Sequence, residues 1–155
     1  MKITRKTVVV KAHPDDLGFQ TDEEKKEAEE KSAAAKELLD FICESVGDEN
    51  LKQVRLSSKL VSSSCCLATG EGITLEMEKY FRNGPSEEMR KIRANRILEL
   101  NGQHHAYIAL KEAFDSGDKD RAAAMSKILY AQAELIAGVE IEDPSAYAEL
   151  VCGLF

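Results

Sequence analysis

The sequence predicts an α+β fold: a long N-terminal helix, a small three-stranded sheet and further helices. Apolar residues recur at helical spacing in five stretches, and three short runs between them change to strand-like patterning. No strand-like run leads into a phosphate-cradling loop, because Gly70-Glu71-Gly72 is too short for a dinucleotide fingerprint. The 155 residues suit one domain, taken as residues 21–155, with 1–20 as an N-terminal segment of unassigned role.

Within residues 1–20 one β-prone run stands out, Thr7 to Ala12, ended by His13-Pro14-Asp15-Asp16. It reads as an edge strand or as the end of a neighbouring domain. Positions this close in sequence do not converge on one ion, so His13 and the aspartates are not expected to bind metal. Residues 21–46 read as a long helix opened by a Thr21–Glu24 capping box. Its front, DEEKKEAEEK, is a solvated run of charge. Its rear carries an apolar stripe, Ala35, Leu38, Leu39, Ile42 and Val46, stopped by Gly47. A charged front on an apolar rear suits a connector reaching out of a domain.

Leu51, Val54, Leu56 and Leu60, then Ser64 to Ala68, read as two short strands joined by a serine-rich turn. Ala94 to Leu100 reads as a third strand. Between them, residues 73–83 read as a helix with Ile73, Met77, Tyr80 and Phe81 on one face. Thr74, Glu76, Glu78 and Lys79 cover much of the remainder. Asn83-Gly84-Pro85 ends this helix, and SEEMRK follows as a loop. Periodicity alone favours a core helix. The alternative is an exposed apolar patch whose methionine makes it a soft, adaptable binding surface. Residues 101–115 begin on Asn101 as a cap and run through Tyr107, Ile108, Leu110 and Phe114. His104 and His105 face different ways and read as surface and cap-region residues.

Asp118 to Phe155 reads as two amphipathic helices. Met125, Ile128, Leu129, Leu135 and Ile136 make one stripe, interrupted at Gln132, with Asp118 as cap and Gly138 as a left-handed stop. Asp143-Pro144 repeats the start signal, and Tyr147, Leu150, Val151 and Leu154 follow at helical spacing. A terminal helix this apolar needs something to lie against. One solution is the same helix pair from a second copy, an intermolecular four-helix bundle with these residues as its dimer interface. The other is an intramolecular hairpin that closes its own core.

Composition excludes several function classes. A formal net charge of -7 argues against a nucleic-acid or anionic-membrane surface. No apolar run approaches a membrane span, and MKITRK is not followed by the apolar region of a signal peptide. Cys43, Cys65, Cys66 and Cys152 contain no CxxC pair, which disfavours zinc and a disulfide framework and fits a reducing cytoplasm. There is no nucleophile elbow, Walker loop or HExxH, and no specific Ser/His/Asp arrangement. No catalytic, cofactor-binding or metal-ligating residue is expected, nor an enzyme.

Four stretches in order then carry a resemblance: LLDFICESVGDENLKQVRLSSKL, ITLEMEKYF, ILELNGQHHAY and IEDPSAYAELVCGLF. Together, over roughly residues 21–155, the chain resembles the C-terminal domain of the heat-shock protein 90 chaperone family, bacterial HtpG type. The VRLS strand, the ILELN strand running into a helix and the EDP helix start are its most specific parts. The resemblance implies a constitutive dimerisation domain of an ATP-driven chaperone, with the last two helices forming the dimer bundle. It also implies an exposed amphipathic helix that touches non-native client proteins, which lands on Ile73, Met77, Tyr80 and Phe81. The family's ATP-binding and middle domains are absent, so the chain reads as a fragment. ATP and magnesium would belong to the parent's N-terminal domain, and none is expected to bind here. Relatives often carry Asn-Pro where this chain has Asn101-Gly102, and the acidic MEEVD-type tail is missing. A free-standing helical homodimer, acting as adaptor or regulator, is the first competing reading, and an enzyme of unrecognised type, which a pocket of converging carboxylates would revive, is the other. An exposed Met77 separates the chaperone module from the adaptor.

Overall fold

The computed structural model describes residues 22–155, leaving aside the side chains of residues 24–32. The run Thr7–Ala12 and the Thr21–Glu24 capping box lie outside the described residues. The chain divides into two units, Met1–Lys36 and Glu37–Phe155. Helix α1 spans Asp22–Val46. In its rear half Leu38 and Ile42 are fully buried, with Leu39 and Val46 half-buried against the same core. Gly47 follows at φ +69°, a left-handed conformation open to glycine at no steric cost.

In the second unit three strands form one sheet: β1 (Leu51–Leu56), β2 (Cys65–Thr69) and β3 (Arg96–Leu100). Their order is β1-β3-β2, with β3 parallel to β1 and antiparallel to β2. The first two strands are therefore not a hairpin across the serine-rich segment; β3 lies between them. Residues 57–64 instead cross the end of the sheet. The Asn101 side chain pins them there by donating to the carbonyls of Ser63 (3.1 Å) and Val61 (3.4 Å). Leu60, expected in a strand, lies in this loop. On β3, Arg96, Leu98 and Leu100 all point into the interior, as a two-residue period requires.

Helix α2 (Leu75–Arg82) starts where Thr74 Oγ1 accepts from the Met77 amide, so Thr74 is a cap rather than part of the polar face. SEEMRK contains a turn of helix, α3 (Glu87–Arg90), because Ser86 caps it by accepting from Met89 N. Helix α4 (His105–Asp115) begins later than expected. His104, not Asn101, is its cap, with Nδ1 accepting from Ala106 N at 3.1 Å. Helices α5 (Lys119–Ala137) and α6 (Pro144–Cys152) start on Asp118 and Asp143, each accepting an amide three residues on. Gly138 stops α5 at φ +75°, with Val139 N donating back to Glu134 O at 2.9 Å. Six helices and one small sheet among the described residues make an α+β fold. Leu98, Leu100, Leu110, Ala122, Leu129 and Ala133 sit at its core.

Candidate functional site

Among the described residues, and apart from Ile108 of α4, two helical faces present large apolar side chains to solvent. On α2, Met77 is 43% exposed and Tyr80 74% exposed. Phe81 is half-buried, as is Ile73, which lies ahead of the Thr74 cap and not on the helix as expected; Phe81 meets Tyr80 edge to face with ring centroids 5.8 Å apart. The core-helix reading thus fails for Met77 and Tyr80, while Phe81 is less open than a free patch would make it.

Glu78 is the buried residue of α2, and it is fully buried. Its Oε1 accepts from Arg96 Nη2 at 2.6 Å and its Oε2 from the Ala94 amide at 2.8 Å. Arg96 Nη1 donates to Glu134 Oε2 on α5 at 2.7 Å and to the Tyr130 hydroxyl at 3.1 Å. Tyr130 donates in turn to Asp48 Oδ2 at 2.6 Å. Burial opposes the Arg96 charge, but Tyr130, Glu78 and Glu134 outweigh it and hold its pKa above the ordinary value. Burial raises the pKa of Glu134, which Arg96 offsets in part. Burial, then the hydrogen bond to Asp48, raises that of Tyr130. The Nε atoms of Arg96 and Arg82 are buried without a protein partner among the described residues. Periodicity put Glu78 on a solvated face and missed this cluster. The available signal was Arg96: an arginine in step with Leu98 and Leu100 must find a buried carboxylate.

The second face belongs to α5 and α6. The expected α5 stripe divides. Ile128 and Leu129 are buried inside the protomer, Leu129 within the core cluster, and Met125 is half-buried against that cluster. Leu135 and Ile136 are 54% and 60% exposed. Buried Ala122, Ser126 and Ala133 explain the division: small side chains let α5 lie close on its neighbours, and the Cys65 thiol of β2 donates to Leu129 O. On α6, Tyr147, Leu150 and Val151 are half-buried, as is Leu154 just beyond its end, and no residue of the helix is buried.

A groove of about 470 Å³ runs between the α1–β1 turn, α5 and α6, lined by Asp48, Lys127, Glu134, Glu142, Tyr147 and Leu150 among others. Its polar groups are largely committed: Asp48 to Tyr130, Glu134 to Arg96, Asp143 to its own helix. Among the described residues no cluster of histidine, cysteine and carboxylate groups could hold a metal ion. Burial raises the thiol pKa values of Cys43, Cys65 and Cys66, which keeps them protonated and poor nucleophiles at neutral pH. Among the described residues no helix is long and apolar enough to cross a membrane.

A family model described as "Hsp90 protein" matches residues 4–155, so the match takes in all but the first residues of the 1–20 segment. The chain is 40% identical over 139 residues to "Chaperone protein HtpG" of Clostridium acetobutylicum, covering 90% of this chain and 21% of that protein. It is 35% identical over 137 residues to the protein of that name from Bacillus subtilis, and 37% to that of Halalkalibacterium halodurans, each covering 88% of this chain and 21% of the relative. It therefore spans about a fifth of the length of the relatives it matches. With the family model covering nearly every residue, the chain belongs to the Hsp90 family.

Proposed function

We propose that this chain is the dimerisation module of a cytoplasmic HtpG-type chaperone, and that it offers non-native clients an amphipathic helix. The observation that carries the reading is α6. It is capped, apolar along one face, and buries no residue within its own protomer. With exposed Leu135 and Ile136 beside it in sequence, it suits a two-fold bundle in which α5 and α6 of two copies cover one another. Each copy would bury ~800 Å² there, the usual share of a stable interface. The residues that meet the partner in this reading are Leu135, Ile136, Tyr147, Leu150, Val151 and Leu154. Clients meet α2 through Met77 and Tyr80, flanked by Ile73 and Phe81. The exposure of Met77 and Tyr80 speaks against a free-standing adaptor whose α2 is simply core.

Sedimentation at several concentrations tests the dimer. The wild-type chain is expected to sediment as a dimer at micromolar concentration, and Leu150→Glu with Val151→Glu as a monomer. A carboxylate in a dry seam costs several kcal/mol unless paired, so about 3–5 kcal/mol of association is lost. A double variant that stays dimeric moves the interface elsewhere. Nucleotide is not part of this module's work: millimolar ATP-magnesium should leave its melting temperature unchanged, whereas a native-state ligand would raise it with concentration.

A further inference from the structure

Charged groups link α2 to α5. None of α2's apolar side chains is fully buried, and its charged residues Glu78, Lys79 and Arg82 reach toward the end of α5. Arg82 reaches Glu140, just beyond α5, at 3.0 Å and Glu78 at 3.7 Å. The Lys79 ammonium lies against Gly138, 3.2 Å from where a Cβ would stand, at the α5 C-terminus. The carbonyls left unpaired there attract a cation. Arg96 sits at the centre and belongs to neither helix. One arm of its guanidinium holds Glu78 at 2.6 Å and the other holds Glu134 at 2.7 Å, with Glu78 fully buried and Glu134 nearly so.

A guanidinium is a rigid planar fork. Moving either carboxylate turns the fork, and the opposite arm must follow or leave a buried charge unpaired. In a low-dielectric interior the half-satisfied arrangement is the costly one. We propose that Arg96 is a positioning residue that couples α2 to α5, so that the attitude of the Met77–Tyr80 face is set by the helix that carries Leu135 and Ile136. This rests on the reading of those faces as client and dimer surfaces. It adds that the two are not independent.

Hydrogen exchange resolved by element tests the coupling on the full chain. Glu134→Met lies on α5, away from the Met77–Tyr80 face, and removes one arm's partner at equal length. The amides of residues 75–82 are expected to exchange about tenfold faster than in the wild type, while those of α4 keep their rate. Arg96→Lys should give the same pattern, since an ammonium is a point charge that cannot hold both carboxylates as a fork. The double variant should be no faster than the faster single, because both act through one group. A Glu87→Gln control on exposed α3 should move nothing. Unchanged α2 exchange in Glu134→Met overturns the coupling. So does equal acceleration of α2 and α4, which would make Glu134 an ordinary stability residue, and so does strict additivity in the double variant. Sedimentation of the same samples reads the dimer separately. Coupled exchange in a chain that proves monomeric sinks the dimer reading alone, and uncoupled exchange in a dimer sinks the coupling alone.

Discussion

Helices α2 and α6 are alike in sequence and opposite in how they are held. Each is short, each starts on a side-chain cap, and each carries apolar residues that the protomer does not bury. α2 has one buried residue, and that residue is the carboxylate Glu78. α6 has none. An apolar stripe on a short helix therefore says little about what secures it. α2 is fixed by ion pairs inside its own protomer, which frees its apolar face. α6 has no such anchor, and in the proposed dimer its stripe is covered by a second copy.

The sharpest way to break this contrast is to remove the anchor. Arg96→Met leaves Glu78 and Glu134 buried without their cation, and a buried pair broken from one side typically costs about 3–5 kcal/mol. Thermal unfolding should show that loss; a change under about 1 kcal/mol would mean that α2 is held by something other than charge. The opposite face should be nearly silent. Met77→Ala with Tyr80→Ala is expected to cost less than about 0.5 kcal/mol per site, because exposed side chains contribute little. Buried Met or Phe truncated in the same way would cost roughly 2–5 kcal/mol. Binding of a partly unfolded client should fall in that variant, and a large stability loss would return α2 to the core.

A finer distinction lies in pH. Burial holds the native pKa of Glu134 above its unfolded value, so the native state keeps that proton more tightly. Its contribution is then fully present below the unfolded carboxylate range and is lost as pH rises through the native value. Relative to Glu134→Gln, the wild type should gain stability on acidification and lose it toward neutrality. Urea unfolding of both proteins across that range reads the sign, and the opposite slope would mean that Arg96 outweighs burial.

How much of this was legible follows from range in sequence. Caps and stops are local, so Asp118, Gly138, Asp143 and Pro144 were read correctly. Helix α3 escaped because one serine sufficed to set it. Asn101 has the right chemistry for a cap, but its Oδ1 accepts from Gln103 N at 3.0 Å in a turn ahead of the helix, while its Nδ2 donates to the Val61 and Ser63 carbonyls. Strand pairing is not local, and nothing in the serine-rich turn announced that β3 would enter between β1 and β2. The α5 stripe misled for another reason. Its large apolar residues mark a stripe, but the alanines and Ser126 carry much of its buried face. At the surfaces, the apolar residues of α2 were visible by spacing. Glu78 was hidden because its burial depends on an arginine in a distant strand.

The strand order also dictates a sequence of events in time. Among the described residues β3 is the last strand and the only one the other two touch, with Leu56 beside Leu100 and Cys65 beside the same residue. No early hairpin can serve as a nucleus, since β1 and β2 have no ladder between them. Each pairing must close a long loop first, and such non-local closure slows folding. On a ribosome that adds residues from the N-terminus, β1 and β2 emerge and wait unpaired until Arg96 to Leu100 appears. Through that interval the half-made domain exposes two unpaired strands, the kind of surface that holding chaperones recognise.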